Sequence, residues 1–129
     1  MIFPTTCNSQ NTINIISNED IIVARMRVRE FAREENLDIT SQACISIAVT
    51  SLAQKISLGS ERQGRVEVSS FSNKSRGGVR VDLVITGIGC QQYESVIQSQ
   101  PLIHLLDEIF IRSVPDQEFV VTAVKWKSF

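Results

Sequence analysis

The chain has 129 residues, of which 43% are hydrophobic and 21% are charged, with 13 basic against 14 acidic side chains. This length suits one compact domain, because chains usually divide into several domains only above roughly 250 residues. A formal net charge of -1 supplies no overall field for holding a polyanion, so we do not expect direct binding of nucleic acid.

The N-terminal residues predict a loose segment followed by a short strand. Residues 1–11 carry no charged side chain, and we interpret them as a flexible lead-in. A strand over Thr12 to Ile16 is then expected to open a single domain that spans residues 12–129.

A long first helix is predicted from about Asn18 to Asn36, with Ser17 as its N-cap. Its apolar residues recur at intervals of three and four and predict one stripe that faces the core, formed by Ile21, Ala24, Val28 and Phe31. A second stripe is basic and follows the spacing i, i+4, i+8: Arg25, Arg29 and Arg33. Like charges at this spacing destabilise a helix by about 0.2–0.5 kcal/mol per pair, so the stripe does not support the helix. It is either a solvated face with glutamates nearby or a docking surface for an acidic partner.

A second helix is predicted to begin at Thr40 and run to about Leu58, where Gly59 is suited to the left-handed position that closes a helix. Its inward face consists of Ile45, Ala48, Leu52 and Ile56. Ser51 and Lys55 are four residues apart, so they lie together on an adjoining face.

Two hairpins and a short third helix follow in the sequence. The segments Gly64–Ser72 and Val79–Thr86 flank a polar connection and predict an antiparallel hairpin. Pro101 is suited to the first turn of a helix, with Leu102, Leu105, Leu106 and Ile109 on one face. Phe110–Val114 and Glu118–Lys127 form the last hairpin. This order predicts an α/β (α+β) two-layer sandwich, with the helices on one face of a mixed, mostly antiparallel sheet.

The cysteine and histidine content argues against a metal site. One histidine, His104, and three cysteines, Cys7, Cys44 and Cys90, are too widely spaced for a Cys-x-x-Cys or His-x-x-x-His pair. An odd number of unpaired cysteines is typical of a reducing compartment. Because no stretch approaches the roughly 18 apolar residues of a membrane span, we expect a cytoplasmic protein that does not bind a membrane.

The order of elements and four short segments resemble the GHKL (histidine kinase-like) ATPase superfamily. Within it, the chain is most similar to the anti-sigma factor serine kinases and switch kinases of bacterial partner-switching systems. The segments are Asp20–Arg25 and Ala48–Ile56 on the two helices, Gly87–Gly89 after the first hairpin, and the ending Thr122–Trp126. The resemblance covers nearly the whole chain and implies the histidine-kinase-like ATPase fold.

The resemblance also implies a nucleotide site, from which this sequence departs. Active members carry a glutamate and, four residues later, a magnesium-binding asparagine, where this chain has Ser51 and Lys55. A serine without a partner is not a base near neutral pH, and an ammonium repels a divalent cation. The family motif Asp-x-Gly-x-Gly keeps Gly87 and Gly89, but Ile85 replaces the aspartate that binds adenine. No glycine follows Gly89 to form the second glycine box of the family.

These departures imply a pseudo-kinase with no catalytic residue and no metal site, in which Lys55, Gly87 and Gly89 line only a vestigial nucleotide pocket. We therefore expect a protein that resembles an anti-sigma regulatory factor, needs no cofactor, and acts by protein–protein binding through Arg25, Arg29 and Arg33. Its partner would be a sigma factor, an anti-sigma antagonist or a regulatory phosphatase, and a homodimer is compatible with the resemblance.

Two alternatives stay open. The first is an ATP-dependent serine/threonine-protein kinase with a divergent nucleotide site, which would require ATP and magnesium. The second is that the resemblance is one of architecture alone, since a fold does not fix a function.

Overall fold

A computed structural model describes residues 6–73, 76–86, 105–114 and 118–127. The elements are β1 (Thr6–Ile15), α1 (Asn18–Glu34), α2 (Ile39–Lys55), β2 (Gly64–Asn73), β3 (Arg76–Thr86), β4 (Glu108–Val114) and β5 (Glu118–Trp126). The strands form a five-stranded sheet in the order β1-β2-β3-β5-β4. The predicted α+β sandwich is confirmed, and in the described residues every neighbouring pair of strands is antiparallel rather than mixed.

Both helices pack on one face of the sheet. α1 contacts α2 and strands β1, β2 and β3, whereas α2 contacts β3 and β5. The apolar stripes predicted for the two helices are buried, and so are the alternate residues of β3 that face them, namely Val79, Val81, Leu83 and Ile85. Burial of this continuous apolar layer is the main source of stability for the fold.

The first strand is longer than predicted. β1 begins at Thr6 instead of Thr12, and it pairs with β2 from Thr6 opposite Ser72 to Ile15 opposite Gly64. The strand therefore takes in residues 6–11 of the segment that was predicted to be a lead-in. A polar strand at the edge of a sheet has no apolar alternation to reveal it, which explains the difference.

α1 begins as predicted and is fixed at both ends by local hydrogen bonds. The carboxylate of Asp20 accepts hydrogen bonds from the backbone N–H groups of Ile16, at 2.9 Å, and Ser17, at 3.1 Å. At the other end the N–H of Leu37 donates to the carbonyl of Ala32 at 3.0 Å. Asn36 adopts φ 65° between them, which is the arrangement of a Schellman motif.

α2 begins and ends earlier than predicted. Asp38 is its N-cap and accepts a hydrogen bond from the N–H of Ser41 at 2.9 Å. The helix ends at Lys55 rather than at Leu58, because the N–H of Leu58 donates to the carbonyl of Ala53 at 2.9 Å. Ser57, at φ 59°, takes the left-handed position that closes the helix, and Gly59, which was predicted for that position, also has a positive φ of 90° but lies two residues farther on.

The hairpins are confirmed with different boundaries. β3 begins at Arg76, so the two glycines predicted to lie in the connection belong to the strand. The predicted third helix is wrong at its end, because Ile109 lies in β4 opposite Ala123 of β5. The β-branched residues around it favour the strand. Of the rest of that helix, 101–104 lie outside the described residues, and Leu105 and Leu106 pack against the core.

Candidate functional site

The face of α2 that carries Ser51 and Lys55 is half-buried. Neither side chain takes part in a hydrogen bond or an ion pair with another described residue. Ser51 thus has no carboxylate or imidazole partner among the described residues that would make its hydroxyl a nucleophile. Lys55 lies in the last turn of the helix, where its positive charge complements the helix dipole.

Ile85 lies inside the hydrophobic core. Its side chain is fully buried, and it stands opposite Gly64 of β2 and Phe119 of β5 on the face of the sheet that the helices cover. A carboxylate at this position would lose its hydration without gaining a charged partner among those neighbours. The position at which the resemblance led us to expect an aspartate is therefore a buried apolar position of the core.

The remaining residues of the predicted nucleotide pocket, Gly87 and Gly89, lie outside the described residues, as do His104 and Cys90. Within the part of the chain that the structure describes, no group of three His, Cys, Asp or Glu side chains is arranged to hold a metal ion. No helix among the described residues is long and apolar enough to cross a membrane.

The basic stripe of α1 is fully on the surface. Arg25, Arg29 and Arg33 are exposed, and none of them forms an ion pair with another described residue. Although Glu30 and Glu34 lie on the same helix, neither forms an ion pair with these arginines. Within the described part of the chain, the three guanidinium groups are therefore exposed and unpaired.

Two exposed apolar side chains extend this basic stripe. Ile22 is 52% exposed and Met26 is 64% exposed. They are one helical turn apart and lie on the side of α1 that is turned away from the buried stripe. Their exposure could have been predicted from the sequence, because both residues fall outside the i, i+3, i+4 pattern of the core residues of α1. We use the term α1 surface for Ile22, Arg25, Met26, Arg29 and Arg33.

A shallow groove of ≈ 250 Å³ borders the α1 surface. Val23, Met26, Arg27 and Glu30 line it. Arg27 is two residues from Arg25 and Arg29, so it points to a different side of the helix. The groove carries one charge of each sign, whereas the α1 surface carries only positive charge.

Several charged residues on the outer face of β2, β3 and β5 form hydrogen bonds and ion pairs with one another. Arg65 donates to Glu67 and, at 3.0 Å, to Glu118, and these carboxylates raise the pKa of Arg65. Asp82 accepts from Arg80 at 3.2 Å and from the hydroxyl of Thr122. These side chains are therefore committed to the sheet, unlike the arginines of α1.

A comparison with characterised proteins finds a similarity to the serine/threonine-protein kinase RsbT of Bacillus subtilis (strain 168). The two sequences are 24% identical over 131 residues, which cover 92% of this chain and 98% of RsbT. None of the known protein-family models matches the chain. Because the similarity runs nearly from end to end of both chains, it supports the resemblance to the anti-sigma factor kinases drawn from the sequence.

Proposed function

We propose that this protein is a non-catalytic regulatory module of a bacterial partner-switching system, which binds an acidic partner protein through the α1 surface. The observation that carries the proposal is the set of exposed arginines on α1 that have no ionic partner among the described residues. The partner classes that the resemblance suggests are a sigma factor, an anti-sigma antagonist and a regulatory phosphatase.

The chemistry of the α1 surface defines what would bind there. Ile22 and Met26 supply apolar area whose burial stabilises a complex by about 25 cal/mol per Å². The arginines beside them favour carboxylates, which a guanidinium can bind with two parallel hydrogen bonds. An amphipathic segment with acidic residues around an apolar ridge would satisfy both requirements. Electrostatic attraction would also speed its association at low salt.

The residues of α2 and β3 support the non-catalytic part of the proposal. Ser51 and Lys55 supply neither a general base nor a ligand for a divalent cation. Ile85 offers no acceptor for the amino group of adenine, and loss of one charge-assisted hydrogen bond costs about 1.5–3 kcal/mol. The proposal therefore assigns regulation to occupancy of the α1 surface, without phosphate transfer.

A pair of charge reversals on one helix tests the binding surface. In Arg29→Glu the α1 surface loses its central charge, whereas Arg27→Glu changes the same helix by the same charge on a different side. We expect native lysate to yield a partner of one of the named classes with the wild type and with Arg27→Glu, but at least tenfold less with Arg29→Glu. Equal recovery with both variants, or recovery of no such protein with the wild type, would contradict the proposal.

A second candidate function is an ATP-dependent serine/threonine kinase with a divergent site. It is favoured by the similarity to RsbT, whose name describes a protein kinase. A kinase would bind ATP with magnesium and transfer phosphate to a protein substrate, so nucleotide binding separates the two candidates.

A further inference from the structure

The exposed apolar side chains that the structure describes are concentrated on the two helices. Seven large hydrophobic residues of the described chain are exposed, and five of them lie on α1 and α2: Ile22, Val23, Met26, Ile39 and Ile47. A single exposed apolar residue is normal, but a group of them on one layer of a protein marks an interaction surface. Ile22 and Met26 belong to the α1 surface, so the group extends beyond that surface onto α2.

The side of α2 that is turned away from the sheet carries almost no charge. Lys55, the last residue of α2, is its only charged residue, whereas α1 has the same length of 17 residues and carries eight. A surface helix normally exposes a charged and polar face. On α2 this face instead has Ile47, which is 50% exposed, at its centre. We use the term α2 face for the outward residues, which recur at intervals of three and four: Thr40, Ala43, Ile47, Thr50 and Gln54.

Met26 and Ile47 lie side by side at the centre of the helical layer. α1 and α2 pack against each other and are joined by residues 35–38 alone, so they form an antiparallel helical hairpin. Met26 lies nine residues before the first residue of this connection and Ile47 nine residues after its last, which puts both at the same height. The axes of packed helices are about 8–10 Å apart, and a helix with its side chains is about 10–12 Å wide. One further helix laid along the hairpin therefore covers both side chains.

We propose that the α2 face is the second half of the docking surface, and that the acidic partner occupies it with one amphipathic helix laid along the α1–α2 hairpin. The apolar stripe of this helix covers Met26 and Ile47. Its side over α1 is acidic, and its side over α2 is uncharged. The inference rests on the proposed function, because it names the part of the acidic partner that binds and the way in which that part is oriented.

The difference in charge between the two helices determines the chemistry of the occupant. A carboxylate over α1 meets Arg25, Arg29 or Arg33, which are exposed and unpaired among the described residues. A carboxylate over the α2 face meets no cation of that face, and burial of an unpaired charge is costly. A nucleic acid or an anionic membrane is negative across its whole width, so it does not match a surface that is basic on one side and neutral on the other. An amphipathic helix with its acidic residues on one side does match.

A charge placed on the α2 face tests the proposal. The probe is the partner that the wild type retains from native lysate, and Ile47→Glu should retain at least tenfold less of it, because a carboxylate would be buried there without a cation. Ile47→Leu keeps the apolar area and should retain the partner as the wild type does. The matched control is Phe110→Glu. Phe110 is 51% exposed but lies on the other side of the sheet, since Ile109 and Ile111 on either side of it pack against the core.

The outcomes separate this inference from the proposed function. If Ile47→Glu retains the partner fully while Arg29→Glu loses it, the α2 face is not part of the interface and the proposed function stands. An equal loss with Phe110→Glu and Ile47→Glu would likewise overturn the inference. If the wild type recovers no partner of the named classes, both proposals are wrong. Circular dichroism checks that each variant is folded.

Photo-cross-linking tests the orientation of the partner helix without adding a charge. With p-benzoylphenylalanine in place of Met26 or of Ile47, both positions should cross-link to one stretch of the partner, within about two helical turns or roughly seven residues. The same group in place of Phe110 should give no cross-link to that stretch. Cross-linking from Met26 but not from Ile47, or from the two positions to distant segments of the partner, would refute a single helix laid across the hairpin.

Discussion

Ile85 offers a sharp test of whether the position at which the resemblance places an adenine-binding aspartate is a core position in this protein. Its side chain is fully buried between Gly64 and Phe119, so Ile85→Asp would remove most of its apolar contacts and bury a carboxylate. Truncation of a buried isoleucine costs about 2–5 kcal/mol, and burial of an unpaired polar group adds to that loss. We expect a loss of at least about 4 kcal/mol from the free energy of unfolding, out of a total of about 5–15 kcal/mol for a domain.

Urea denaturation measures this loss. With an m-value of about 1.5 kcal/mol/M, a loss of about 4 kcal/mol moves the midpoint by about 2.7 M. Ile85→Val is the matched control, because it removes one methyl group without adding polarity and should cost only about 0.5–1.5 kcal/mol. Ile85→Asn tests the polar contribution without a titratable group.

The pH dependence of unfolding separates the cost of burying the charge from the cost of the lost apolar contacts. Burial would raise the pKa of the introduced carboxyl above its unfolded value of about 3.9, so the folded state would favour the protonated form. The penalty of Ile85→Asp should therefore shrink as the pH falls from 7 towards 4, whereas that of Ile85→Asn should not. If Ile85→Asp unfolds within about 1 kcal/mol of the wild type at pH 7, the position faces an open pocket and the reasoning is refuted.

Three further substitutions test the structure, each by urea or thermal unfolding. Gly64→Ala should destabilise the protein by about 3 kcal/mol or more, because the added Cβ would lie 1.8 Å from the carbonyl oxygen of Val84; a neutral effect would show that the two strands are farther apart. Ser57→Gly should stabilise the protein by up to about 1 kcal/mol, since glycine adopts the left-handed φ without strain. A loss of stability in this variant would argue against a left-handed conformation at residue 57. Hydrogen bonds from Ser41 lower the pKa of Asp38. The ionised carboxylate therefore stabilises the fold at a pH above its unfolded pKa of about 3.9, and this stabilisation is lost as the pH falls through the lower pKa of the folded state. Asp38→Ala should therefore lower Tm at pH 7 and much less near pH 3, and an equal loss at both values would contradict the role of the charge.

The helices could be predicted from the sequence because their apolar residues follow a single period. Ile21, Ala24, Val28 and Phe31 are all buried, and Ser17 precedes α1 as its N-cap. The end of α2 could not be predicted, because Ser57 and Gly59 both have a positive φ, and the sequence does not show which of them closes the helix. The choice depends on the hydrogen bond that Leu58 makes to Ala53.

The strand boundaries were harder to predict from the sequence, because they depend on pairing with residues far away in the sequence. β1 begins in a polar segment that pairs with β2, and Ile109 fits a helical spacing but pairs with Ala123. The exposure of Phe110 could not be predicted for the same reason, since it follows from the place of this residue on an edge strand. Ile22 and Met26 could have been found, because they are apolar residues outside the core period of α1.

The central claim, a regulatory module that works without nucleotide, is tested most directly by the effect of ATP on thermal unfolding. Saturating ATP at a hundred times its dissociation constant stabilises a folded protein by about 2.7 kcal/mol. RsbT of Bacillus subtilis serves as a comparison protein in the same titration. We predict that millimolar ATP with magnesium leaves Tm of this protein unchanged. A rise in Tm that requires both ATP and magnesium would contradict the account and favour the kinase.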